Sequence, residues 1–211
     1  MARIDDYKES FRLAAQEMLA VNLHHRARQA GVDIGVREDG ATELRLSLLG
    51  DPLVVRVRDV VDVIAPDRDG EVSLPEKILV CHYLLRASGD PPKGNLITFR
   101  QIPDGHFYFD AFQRRTRDPF LTTFGHRPEL FRTCAQTLGG LSADTADVAM
   151  SFQVLPRVAM QLCLWEGDEE FPPEANVLFD ENIQSYLPVE DIAVLSGMLV
   201  YRLMAIARQQ G

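Results

Sequence analysis

The fifteen residues from 166 to 180 are dense in carboxylates, Glu166, Asp168, Glu169, Glu170 and Asp180 among them. Clustered oxygen ligands are what hard cations such as Mg²⁺ or Ca²⁺ require. With His106 as a base, Glu166, Asp168 and Glu170 around such an ion would suit a metal-assisted hydrolase or transferase. The spacing nevertheless lacks the alternating Asp pattern and glycine of an EF-hand loop, and adjacent carboxylates in a surface turn are commonly just solvated. No metal ligand and no catalytic residue is therefore assigned. Trp165, the only tryptophan, and Phe171 bracket the acids, and Pro172-Pro173 hold the following backbone near polyproline geometry. These features describe a shaped turn that offers Trp165, Glu166, Asp168, Glu169, Glu170 and Phe171, with Asn176 just beyond, to a ligand or partner. A plainer alternative is a structural hairpin with the Trp165 ring packed into the core, and the burial of that ring separates the two.

A second constellation runs from Asn95 to Phe112, where Phe99, Phe107, Tyr108, Phe109 and Phe112 surround Arg100 and His106, with Arg114, Arg115 and Arg117 just beyond. Aromatic faces beside guanidinium groups could hold a planar anionic cofactor by stacking and cation attraction. The competing reading makes the phenylalanines core and the arginines solvent-facing. Of the histidines, His106 beside Gly105 and Tyr108 is the best placed for chemistry. His82 shares a helical stripe with Ile78, Cys81 and Leu85 and reads as a core residue. Cys81 and His82 are helix neighbours pointing about 100° apart, which spoils a nucleophile–base pair. The chain has no G-x-S-x-G elbow, P-loop or G-x-G-x-x-G motif, so an enzyme is the less favoured class.

The charge is unevenly distributed. Between Arg157 and Arg202 stand nine acids and no Lys or Arg, and the net charge is −9, so the remainder balances at 22 acids against 22 bases. An acidic chain repels phosphate backbones, which argues against nucleic acid as a partner. No apolar run approaches the roughly 20 residues that span a bilayer, and residues 1–6 lack an apolar signal core. No membrane association and a cytoplasmic location are expected. Cys81, Cys134 and Cys163 form no C-x-x-C pair, so each reads as a small buried side chain.

The elements that must position these groups follow from periodicity, and 211 residues at 46% hydrophobic content read as one domain, 1–211. Tyr7, Phe11, Ala14, Ala15, Met18 and Asn22 put an amphipathic N-terminal helix over 5–29, with Gly31 as its stop. Residues 43–58 predict a hairpin about a type II′ turn at Gly50-Asp51, with Leu48 facing Leu53, Leu46 facing Val55, Leu44 facing Val57 and Glu43 opposite Arg58. Ser73 and Glu76 form a capping box before a central buried helix, 74–88. A short strand at 96–102 precedes two helices, 110–124 and 127–138. Alternation over 147–165 predicts a second antiparallel pair, with 176–179 returning as a third strand. A helix over 188–208 closes the chain, with Glu190 and Asp191 in its first turn and Arg208 in its last. The sum is an α+β fold.

His82-Tyr83-Leu84-Leu85, Thr98-Phe99-Arg100, Leu155-Pro156-Arg157, the run from Leu164 to Asn176, Leu178-Phe179-Asp180 and Tyr186-Leu187-Pro188 together resemble the bacterial and archaeal family known as domain of unknown function 3786. The resemblance covers nearly the whole chain and carries no activity with it. It implies a context of corrinoid and iron–sulfur chemistry in one-carbon metabolism, since some relatives join this domain to a four-cysteine cluster module. This chain lacks those cysteines, so a corrinoid or iron–sulfur protein would have to be a partner. A non-catalytic module that binds a corrinoid-type cofactor or such a partner is the reading that results, with Trp165, Glu166, Asp168, Glu169, Glu170, Phe171, Asn176, Arg100, His106 and Tyr108 as candidate contacts.

Overall fold

The computed structural model describes residues 4–210. Among them, seven α-helices and two antiparallel sheets build an α+β fold, as the periodicity predicts. The chain divides into two compact units.

One unit comprises the chain through Pro91 together with Leu155–Arg157 and Ser185–Leu187. It opens with two helices, α1 (Ile4–Ala20) and α2 (Leu23–Ala30), in place of the single helix that the spacing predicts. Asn22 causes the break: its backbone is extended and its side chain accepts the His25 amide hydrogen at 3.0 Å. Asparagine satisfies an exposed helix start better than it serves a helix interior. Gly31 ends α2 in left-handed geometry (φ 66°), as anticipated.

Strands β1 (Asp33–Val36), β2 (Thr42–Leu48), β3 (Asp51–Val57) and β4 (Val61–Ile64) then pair in sequence order. The β2–β3 hairpin corrects the predicted register. Leu46 faces Leu53, Leu44 faces Val55, and Glu43 faces Arg56. The turn is Leu49-Gly50, both at positive φ (53° and 87°), which is the type I′ pattern and draws Asp51 into the strand. Left-handed geometry costs a leucine roughly 1–2 kcal/mol, and Leu49 offsets this by burying its side chain. The partner shifts by two residues, so every side chain keeps its predicted face. Glu43 is only 5% exposed, and Arg37, Arg45 and Arg56 converge on it, with Arg56 Nε 2.9 Å from Oε1. The Arg56 hydrogen bond leads the effects that hold the Glu43 carboxyl below its ordinary range. Arg58, its expected partner, pairs with Asp59 instead.

Helix α3 (Leu74–Arg86) starts with the expected capping box: the Ser73 amide donates to Glu76 Oε2 at 2.9 Å, and Ser73 Oγ accepts from the Glu76 amide at 3.4 Å. It buries Ile78, Leu79, Val80, Cys81, Tyr83 and Leu84 against its neighbours, α1 and α2 among them. The fully buried Tyr83 hydroxyl donates to the Ala30 carbonyl at 2.6 Å and accepts from the Arg157 amide at 3.1 Å, and its ring stacks on Tyr186 at 6.2 Å. One phenol thus ties four distant segments of this unit.

The second unit comprises Pro92–Val154, Val158–Gln184 and the chain from Pro188 on. Its strands are β5 (Leu96–Thr98), β6 (Leu141–Ala143), β7 (Val148–Leu155), β8 (Val158–Trp165) and β9 (Glu174–Asp180), in the sheet order β5-β9-β8-β7-β6. The pairing of 147–165 and the returning third strand both stand. Residues 96–102 do not form one strand: the chain leaves β5 after Thr98 and tightens into a 3₁₀ turn over Phe99–Gln101. The segment 110–138 holds parts of three helices where two were expected: α4 (Gly105–Arg115), α5 (Arg117–Phe124) and α6 (Pro128–Thr137). Pro119 has no N–H for the Arg115 carbonyl, so a helix continuing through this stretch loses a bond there, and the buried Thr116 hydroxyl turns back to the Phe112 carbonyl at 2.7 Å. The closing helix α7 (Val189–Gln210) packs on α4, α5 and α6 with its charges ordered as predicted.

Tyr83→Phe removes the phenol while leaving the ring, and so strands a buried carbonyl and an amide. We expect a loss of about 1–3 kcal/mol, read as a lower urea midpoint at unchanged slope; an unaltered midpoint would show that the hydroxyl is dispensable.

Candidate functional site

The acidic residues sit in the connection between β8 and β9, whose pairing ends with Trp165 opposite Glu174. Asp168 organises this turn. Its Oδ1 accepts the amide hydrogens of Glu170 and Phe171, each at 2.8 Å, and its own amide donates to the Phe171 carbonyl at 2.9 Å. The Glu166 amide donates to Asp147 Oδ2 at 2.9 Å. A side chain on Gly167 would put its Cβ 2.7 Å from the Pro173 nitrogen, so glycine is required where Pro173 folds back over the turn. The backbone is therefore held by its own hydrogen bonds and by Pro172-Pro173.

This frame leaves Glu166, Asp168, Glu169, Glu170 and Glu174 exposed. Among the described residues, none of them forms an ion pair with a lysine or arginine. Trp165 is 37% exposed and Phe171 67%, so the hairpin does not close its tryptophan into the core. Asp180 serves a different purpose. Its carboxylate accepts the amides of Lys93, Gly94 and Asn182 at 2.7–3.0 Å. Burial raises the Asp180 pKa, and these bonds outweigh that and leave it lowered. No group of three or more His, Cys, Asp or Glu side chains among the described residues is placed to share a metal ion.

The aromatic segment divides between core and surface. Phe99, Phe112 and Phe179 cluster in the interior, with the Phe99 and Phe112 rings 4.0 Å apart and nearly parallel and Phe179 tilted against both. Phe107 is 75% exposed, and the exposed His106 ring lies 3.9 Å from it in the first turn of α4. Tyr108 donates its phenolic hydrogen to Glu190, which raises its pKa. Arg100 lies over the Phe109 ring with its guanidinium carbon 4.2 Å from the centroid. A groove of about 510 Å³ opens beside it, bordered by Arg100, Phe109, Gln113 and Arg117 on one side and by Glu174 and Asn176 of β9 on the other.

The ten candidate contacts thus separate. Arg100 and Asn176 line the groove, Trp165 to Phe171 form the turn, and His106 and Tyr108 belong to neither. Gln113 escaped the sequence reading. The signal was its i, i+4 spacing from Phe109, which puts the two on one side of a helix, but the helix begins five residues earlier than the spacing predicts. The three cysteines are buried and unpaired. Burial pushes the Cys81 thiol up to about 12, which leaves it unreactive.

These features define an α+β domain with two antiparallel sheets, a preformed acidic turn and an arginine-edged groove. No helix among the described residues is long and apolar enough to cross a membrane. The chain belongs to the family described as Domain of unknown function (DUF3786), which matches residues 22–202. No curated protein and no solved structure matches the chain.

The amides of Phe171 and Glu170 lower the Asp168 pKa. Because the ionised form holds the turn, order should persist below the ordinary aspartate value of about 3.9 and fade as pH falls through the lower folded value. In an NMR titration the Glu170 and Phe171 amide resonances should move together, with a midpoint below about 3.9; a midpoint at or above it would refute this role. Asp168→Ala should abolish the shared transition.

Proposed function

We propose that this domain is a non-catalytic cytoplasmic binding module that docks on a protein partner through the turn from Trp165 to Phe171. The observation that carries this reading is a backbone held in one shape by Asp168 while Glu166, Glu169 and Glu170 stay solvated. The four carboxylates of this turn have no lysine or arginine partner among the described residues and call for basic side chains on the facing surface. Trp165 and Phe171 supply the large apolar contacts on which interfaces concentrate their energy. A turn already ordered in the free protein loses little entropy on binding.

The same observations weaken the reading as a metal-assisted hydrolase or transferase. Asp168 is committed to backbone amides and Asp180 to a different loop, and His106 rests against Phe107. The family resemblance suggests the first partner to try, a corrinoid or iron–sulfur protein, with the corrinoid cofactor alone as the competing ligand.

The single tryptophan reports on the site directly. Titrating the purified protein with a corrinoid iron–sulfur protein should change Trp165 fluorescence. Trp165→Ala, followed by calorimetry, should weaken binding at least about tenfold, and rising salt should weaken it further. A response to free cobalamin alone would move the function to cofactor binding, and silence at saturation with both would count heavily against docking on this class of partner.

A further inference from the structure

The groove beside Arg100 has a chemistry of its own. Four consecutive β9 residues, Glu174 to Val177, border it. Successive strand side chains point to opposite faces, so a groove bordered by four in a row follows the edge of the strand. That edge has no partner strand among the described residues, because β5 pairs with β9 only from Leu96–Asp180 to Thr98–Leu178 before the chain turns away at Phe99.

The hydrogen-bonding groups around the groove are mostly donors. Two hydroxyls are already engaged: Thr98 Oγ1 with Gln101 Oε1 at 3.0 Å, and Thr116 Oγ1 with the Phe112 carbonyl. Asn176 Oδ1 accepts the Val177 amide hydrogen at 2.9 Å, and its NH₂ group has no partner among the described residues. The Gln113 side chain makes no hydrogen bond to the described residues. Arg117 directs Nε and Nη2 to one Asp118 oxygen, at 3.2 and 3.1 Å, and its Nη1 has no partner among the described residues. Arg100 has no carboxylate partner among the described residues and stands fixed over the Phe109 ring.

We propose that this groove binds a small organic oxyanion, a carboxylate or phosphate monoester carried on a flat apolar body. A guanidinium already stacked on an aromatic ring keeps its planar fork of N–H donors for a two-oxygen acceptor, and little freedom is lost when the oxyanion arrives. The half-buried Phe109 ring, which borders the groove, receives the apolar body. Gln113 and Asn176 add neutral donors. Glu174 is the one acid on the rim, and it accepts a hydroxyl or amine hydrogen from the ligand while disfavouring bare, highly charged anions. A groove of about 510 Å³ falls within the range of about 300–1,000 Å³ typical of small-molecule sites. None of the residues from Trp165 to Phe171 borders it, so the groove and the docking turn stand or fall separately.

Calorimetric titration of the 211-residue chain with benzoate, indole-3-carboxylate, phenyl phosphate, benzyl alcohol and inorganic phosphate tests the proposal. At least one aromatic anion should bind, whereas benzyl alcohol and inorganic phosphate should not. Arg100→Gln should weaken that binding at least about tenfold, the loss expected for a charged hydrogen-bonding partner. Arg100 is exposed, so an unchanged thermal midpoint should accompany the loss. Gln113→Leu should weaken binding as well, and Trp165→Ala should leave it intact. Whichever of benzoate and phenyl phosphate binds more tightly identifies the head group. Absence of binding by every aromatic anion up to about 10 mM, a range that already admits contacts worth only a few kcal/mol, would overturn the proposal. So would binding that neither groove variant changes, or equally tight binding of inorganic phosphate.

Discussion

Antiparallel pairing of β8 with β9, from Met160 opposite Phe179 to Trp165 opposite Glu174, carries both halves of the candidate site. At one end the strands must be rejoined, and the connection that rejoins them is the acidic turn. Along the outer edge of β9, Glu174 and Asn176 border the groove. On the inner face Ala175, Val177 and Phe179 are buried, and Phe179 reaches the ring stack of Phe99 and Phe112. A slip of one residue in this pairing would reverse the faces of β9. It would drive Asn176 and Asp180 inward and expose Phe179. The apolar alternation therefore guards the geometry of a polar site that it does not itself contain.

The two features that this pairing carries differ in how their charges are handled. In the turn the backbone is satisfied internally and the carboxylates are left to solvent, so shape and charge are supplied by separate atoms. Asp168 is the exception, since a single carboxylate orders the backbone of the turn and adds to its charge. In the groove the arginines are partly tied, Arg117 by Asp118 and Arg100 by the face of Phe109. Elsewhere charge serves the fold alone. Glu43 sinks beneath three guanidinium groups, and three backbone amides converge on Asp180. Carboxylates in one chain thus take on structural or surface duty according to whether donors surround them.

Most of the architecture was legible because local rules and burial agree. The capping box at Ser73, the stop at Gly31, the alternation over 147–165 and the charge order of the closing helix all appear in the structure as the residues suggest. Where prediction failed, one short-range preference yielded to another. Asn22 took a cap role inside an apolar stripe, and Pro119 with Thr116 split a helix. Leu49 accepted left-handed geometry because its side chain is buried, which moved the hairpin turn by one position. Strands β1, β4 and β6 are three or four residues long, too short for period two to stand out from chance.

The candidate site was half legible. That the run from Trp165 to Phe171 forms a stiff, charged turn follows from two prolines and a density of charge that no core admits, whereas the outward position of the Trp165 ring was decided by the tertiary structure. That its carboxylates do not gather on one point was decided by the tertiary structure, because spacing along a chain says nothing of where backbone donors will stand. The groove belongs wholly to that second category. Arg100 and Asn176 are 76 positions apart, and only the early end of β5, the start of α4 at Gly105 and the packing of Phe179 against Phe112 bring them to one opening. Periodicity reports which face of an element is apolar, whereas a cavity is formed by the faces of several elements, whose mutual placement no local pattern encodes.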